Sequence, residues 1–195
     1  MPEERLSFLK EKLEKQYGKE LTNRIFEGYR VKRKTTFRVN TIKSNSEEIE
    51  AVLKENNIEF EKVEYIKDAY ILKNKTEKDL ENLKIYEEGK IYVQSLSSML
   101  PPIILNPREN ADILDMAAAP GGKTTEIAAL VKNKANITAC EMNNIRAQKL
   151  KYNVEKQEAS SVFIMIKDAR QIDDFLKFDQ ILLDAPCSRK WNFRF

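Results

Sequence analysis

The stretch Ile113–Lys123 reads I-L-D-M-A-A-A-P-G-G-K, and its reading decides the fold. An apolar run ends in Asp115, a turn of small residues follows, and K-T-T-E-I-A-A-L then has the composition of a helix. Strand, tight loop and helix in that order bring backbone N–H groups and a helix N-terminus to an anionic or nucleotide-like ligand. Alanine and glycine leave little side chain in the way, so the backbone can approach such a ligand closely. The chain is expected to bind a nucleotide or nucleoside cofactor there.

Downstream, three more apolar runs alternate with helical segments: N-I-T-A-C-E-M, V-F-I-M-I-K-D-A and F-D-Q-I-L-L-D-A. Amphipathic helices are predicted over 123–132 and 143–157. The fold class is α/β, with the first half of a doubly wound, Rossmann-like parallel sheet. Each strand ends in or just before an acid, Asp115, Glu141, Asp168 or Asp184, and ligands of such sheets sit at those strand ends. Glu141 is placed to accept hydrogen bonds from both hydroxyls of a ribose. Asp168 can accept from an adenine amino group or simply cap the turn D-A-R-Q. In D-A-P-C-S, Asp184–Ser188, the Cys187 thiol can act as a nucleophile, contact a reacting base, or only fill space at a strand end. Cys140, inside a strand, reads as core.

Upstream, I-Y-V-Q is a short strand, and S-L-S-S-M-L is a helical turn stopped by Pro101 and Pro102. Before it lies a small α+β module. Leu6, Leu9, Leu13 and Tyr17, then Leu21, Ile25, Phe26 and Tyr29, mark two helices broken near Gly18. T-T-F-R-V-N-T-I is an alternating strand. Ser44 or Ser46 caps the next helix, with Glu47 completing a capping box if Ser44 is the cap. Residues 59–73 hold one or two further strands, and the module ends near Gly89. The expected domains are 1–89 and 90–195.

The net charge is only +3, but Arg30, Lys32, Arg33, Lys34 and Arg38 cluster among Tyr29 and Phe37. Such a patch contacts phosphates or is a solvated loop. Two cysteines and no histidine exclude a disulfide scaffold, a cysteine zinc site and imidazole catalysis, so no metal is expected. No apolar run reaches the ~18 residues of a membrane span, and M-P-E-E-R-L is not a signal peptide. The expected setting is the cytoplasm. Two rival classes stay open. Ala117–Thr124 departs from the P-loop pattern only at its first glycine, and I-L-L-D resembles a Walker B strand. A non-catalytic RNA-binding module would rest on the N-terminal region alone.

Together these residues resemble the Nop2/Sun (Fmu) family of RNA cytosine-5 methyltransferases. A-A-A-P-G-G-K-T is similar to its cofactor loop, and T-F-R-V-N-T-I-K to the R-x-N-T stretch of its RNA-binding module. E-G-K-I-Y-V-Q-S-L-S-S-M-L resembles the entry to its catalytic domain, and D-A-P-C-S its fourth motif. The resemblance implies S-adenosyl-L-methionine as cofactor. Ala117, Ala118, Ala119, Pro120, Gly121, Gly122 and Lys123 would wrap its methionine end, Glu141 its ribose and Asp168 its adenine. Asp184 would lie beside the methyl donor and target base, and Cys187 would match the cysteine that helps release product. Arg38 and Asn40, with the basic patch, would contact RNA, ribosomal RNA first and tRNA second. Family members are expected to be monomers. Their attacking cysteine belongs to a later motif, so this chain reads as truncated and inactive alone. Where the family has a glycine loop, this chain has R-K-W-N-F-R-F. Arg189, Lys190 and Trp191 can be re-read one nucleotide later with glycines in place, the expected mark of a frameshift.

Overall fold

The computed structural model describes residues 3–31 and 33–185, with side chains from Ser7 onward. Lys32, Cys187, Arg189, Lys190 and Trp191, all singled out above, lie outside the described residues. The chain divides into two compact units, the larger being Lys34–Pro186. Helix α1, Glu3–Arg30, belongs to the smaller unit. Its helical dihedrals fail at Gly18, where φ is 78° and ψ 168°. Thr22 Oγ1 donates to the Gly18 carbonyl at 2.7 Å. The two helices expected on either side of Gly18 are there, merged across a kink.

The larger unit begins with β1 (Thr36–Val39), α2 (Ser46–Glu55), β2 (Phe60–Lys62) and β3 (Ala69–Leu72). Two short helices follow, α3 (Glu77–Glu81) and α4 (Lys84–Glu87), then β4 (Ile91–Val93). The strands pair antiparallel in the order β2-β3-β1-β4. Alternation along β1 and β3 turns Phe37, Val39, Tyr70 and Leu72 onto Ile49 and Leu53 of α2, and the Phe37 and Tyr70 rings stack 5.2 Å apart. The cap of α2 is Asn45, not Ser44 or Ser46: its side chain accepts from Glu48 N at 2.9 Å. Ser44 Oγ donates instead to Glu48 Oε2, and Ser46 Oγ to Asp68 Oδ1, each at 2.7 Å. Beyond Gly89, β4 returns to pair with β1. Gly89 has φ 70°, and a Cβ there would collide with the Lys156 carbonyl.

Helix α5 (Leu96–Leu105) runs through Pro101 and Pro102, where the sequence predicted a stop. The prolines free the carbonyls of Ser97 and Ser98, but Ser97 is exposed to water, and burial of Met99 and Pro102 holds the helix. Then come β5 (Asp112–Asp115), α6 (Gly122–Leu130), β6 (Asn136–Cys140), α7 (Asn144–Lys156), β7 (Val162–Met165), a 3-10 turn (Ala169–Gln171) and β8 (Gln180–Leu182). All four strands are parallel, in the order β7-β6-β5-β8. Ile113, Ile127, Ile137, Leu150 and Val154 form their core with Ala128 of α6. This is the predicted α/β class. Among the described residues, no helix is long and apolar enough to cross a membrane.

Candidate functional site

The loop between β5 and α6 hangs from both neighbouring strands. Met116 N donates to the Leu182 carbonyl at 2.9 Å and Ala118 N to that of Cys140 at 3.0 Å. Gly121 N closes the turn onto the Ala118 carbonyl at 2.8 Å. Helix α7 holds the far side: Arg146 Nη2 donates to the Ala119 carbonyl at 2.7 Å and Asn153 Nδ2 to that of Pro120 at 2.8 Å. Gly121 has φ 111°, and a Cβ there would sit 3.1 Å from Leu150 Cδ1. The positive φ favours glycine, and the tight contact with Leu150 adds to that preference. Because Gly121 is also the residue before α6, no side chain caps that helix. Its first-turn N–H groups meet no capping side chain.

Asp115 ends its strand, and Glu141, Asp168 and Asp184 follow theirs by one to three residues, so the four predicted acids are not equivalent. Asp115 is 1% exposed and anchors the loop. It accepts from Thr124 Oγ1 at 2.7 Å and from Ala117 N at 3.3 Å, and burial pushes its carboxyl up. Both of its oxygens are engaged within the loop and the first turn of α6. Glu141, 4% exposed, accepts from Asn143 N at 2.9 Å and pairs with Arg146 Nη1 at 3.2 Å. Asp168 caps the 3-10 turn and takes a bidentate grip from Arg170, at 3.0 Å to Nε and 2.6 Å to Nη2. Those bonds pull its carboxyl down to about 2. Asp184 pairs with Lys123 at 2.7 Å. The rim acids thus each hold a base. Arg146 and Arg170 were not foreseen. One signal was present: an arginine in the first turn of a helix opposes the dipole, so Arg146 needs a partner such as Glu141.

The basic patch divides. Arg30, Arg33 and Lys34 are exposed. Arg38 and Asn40, expected to contact RNA, are instead 4% and 1% exposed. Asn40 Nδ2 donates to the carbonyls of Gly89 and Gln157, at 2.9 and 2.8 Å, so its amide is spent joining β1 to the end of α7. Arg38 is enclosed by Gln94, Thr125 and Glu126, and burial pushes its guanidinium below the ordinary value while Glu126 opposes the shift. Glu126 is itself pushed up to about 7 by burial, with Arg38 and Gln94 opposing. Among the described residues no group of three or more acids, cysteines or histidines could hold a metal.

The family model described as 16S rRNA methyltransferase RsmB/F matches residues 102–192. A second, the RsmF/B-like ferredoxin-like domain, matches residues 7–78. The ribosomal RNA small subunit methyltransferase F of Shewanella oneidensis is 37% identical over 82% of this chain and 34% of its own length. The tRNA (cytosine(72)-C(5))-methyltransferase of Pyrococcus horikoshii is 44% identical over 56% of this chain and 28% of its own. A solved structure, NSun6 from Pyrococcus horikoshii with SFG, superposes with a TM-score of 0.82 at 25% identity, covering 92% of this chain and 70% of that one. The chain spans roughly a third of the length of these two curated relatives.

Proposed function

Because the chain belongs to the RsmB/F (Nop2/Sun) family of RNA methyltransferases, we propose that it binds S-adenosyl-L-methionine and serves methylation of carbon 5 of cytosine in RNA. Ribosomal RNA is the first substrate to test and tRNA the second, following what the relatives' names say they modify. The observation that carries the cofactor reading is the uncapped N-terminus of α6 beside Glu141, at the carboxyl ends of adjacent parallel strands. This donor set fits the cofactor. The first-turn N–H groups of α6 would take its carboxylate. Glu141 has an acceptor lone pair left on each oxygen after Asn143 and Arg146 are served, enough for two ribose hydroxyls. Asp168, released in part from the exposed Arg170, would accept from the adenine amino group. Lys123 would hold Asp184 in place at the reacting end. The bound cofactor supplies an electrophilic methyl group. The helper role of Cys187 belongs to the same proposal.

Calorimetric titration tests this against the P-loop alternative. S-adenosylhomocysteine should bind without magnesium. Glu141→Ala should weaken it by about 1–3 kcal/mol, the worth of hydrogen bonds to a charged group. Magnesium-dependent binding of ATP, with none of S-adenosylhomocysteine, would overturn the proposal.

A further inference from the structure

The Arg38 side chain leaves β1 and reaches α6. Nη2 donates to the Gly122 carbonyl at 3.2 Å and to Thr125 Oγ1 at 2.8 Å. Thr125 Oγ1 donates in turn to the Gly121 carbonyl at 2.7 Å. On its other side, Arg38 Nε donates to Gln94 Oε1 at 3.2 Å, and Gln94 Nε2 to Glu126 Oε2 at 2.9 Å. That oxygen also lies 3.8 Å from Arg38 Nε. The Tyr92 ring flanks the guanidinium, 5.1 Å from ring centre to Cζ. A side chain at Gly122 would be tight here, since a Cβ would stand 3.2 Å from Tyr92 Cε1 and 3.3 Å from Gln94 Oε1.

Stability alone does not account for this cluster. A buried guanidinium is costly, and its Nη1 has no protein partner. Apolar side chains of similar volume would join the two elements at least as firmly. What an arginine does and an apolar residue cannot is fix the two carbonyls and the hydroxyl at the start of α6. Resting on the cofactor reading above, we propose that Arg38 is a positioning residue for the cofactor loop. From the N-terminal sheet it sets the first turn of α6, and so the N–H groups that receive the amino-acid end of the cofactor. Gln94 holds the arginine in that pose, and is itself held by Glu126.

The test compares two ligands on the whole chain. S-adenosylhomocysteine carries the amino-acid end, whereas methylthioadenosine keeps the nucleoside and sulfur and lacks that end. Arg38→Met should lower affinity for S-adenosylhomocysteine by about tenfold or more, the effect of losing charge-assisted hydrogen bonds. Affinity for methylthioadenosine should stay unchanged. Arg38→Lys should recover part of the loss, and Gln94→Leu should move affinity the same way by less. A general loosening of the fold would weaken both ligands together, and that result, or no loss for either, would overturn the inference. If circular dichroism shows Arg38→Met unfolded, Arg38→Lys and Gln94→Leu decide by the same ratio of affinities. A wild-type chain that binds neither ligand overturns the cofactor reading itself, and this inference with it.

Discussion

Glu126 and Glu141 are both buried, at 5% and 4% exposure, yet they meet different neighbours. Glu141 sits at a strand end with a backbone donor and an arginine directly on it. Glu126 lies inside α6, where desolvation outweighs Arg38 and Gln94 and lifts its carboxyl from 4.5 to about 7. The folded protein therefore holds this proton more tightly than the unfolded chain does. The stabilisation from that proton is complete below pH 4.5 and is lost as pH rises through about 7. It is on the order of 3 kcal/mol. Urea unfolding at a series of pH values should show wild type losing this amount relative to Glu126→Gln, which has no proton to give up. Parallel pH profiles for the two proteins would contradict the assignment. The residue types at 126 and 141 were readable in the sequence. Which of them would face Arg38, 88 positions from Glu126, was not, because no local pattern records that approach.

At the scale of elements, the strands and helices of the parallel sheet were legible because their cues are local. Four apolar runs of strand length, separated by helical periodicity, allow few other arrangements. Helices α3 and α4 escaped because five and four residues are too short to show a period. The start of α2 was ambiguous for another reason. Ser44, Asn45 and Ser46 all suit a cap by type, and only the fold puts Asn45 in the extended conformation, φ −136° and ψ 168°, with its side chain on Glu48 N. Asn45→Ala should therefore destabilise the chain by about 1 kcal/mol. Ser46→Ala should cost less, since it removes only a partly exposed hydroxyl bond to Asp68. Thermal unfolding of the two variants side by side checks the order. The reverse order would return the cap to the serine.

At the scale of the whole molecule, one face of the parallel sheet carries Phe163, Thr138, Leu114 and Ile181 in register, and Phe163 and Ile181 are 64% and 53% exposed. Leu183, just past β8, is 61% exposed. Parallel sheets bury both faces, so this surface should draw the chain into self-association. Sedimentation should show mass rising with concentration, and Phe163→Lys with Ile181→Lys should suppress the rise. A second prediction concerns charge. Arg30, Arg33 and Lys34 remain as exposed cations after Arg38 and Asn40 are removed from the patch. Replacing all three with glutamine should reduce the salt slope of single-stranded RNA binding by about 2, at roughly 0.7 per phosphate contact. An unchanged slope would make them a solvated surface only.

The sequence by itself determined the parallel α/β half, the small-residue loop and the acids at the strand ends. Each follows from periodicity or from chemistry within a few adjacent residues. Only the tertiary structure decided which charges face solvent. Arginine is seldom buried, and Arg33 and Lys34, near Arg38 in the chain, are indeed outside. The burial of Arg38 depends on Gln94 arriving from β4 and Thr125 and Glu126 from α6, at sequence separations of 56 and 87 for Gln94 and Thr125. A buried charge is tolerated only where partners converge, and convergence is a property of packed elements rather than of any stretch of chain.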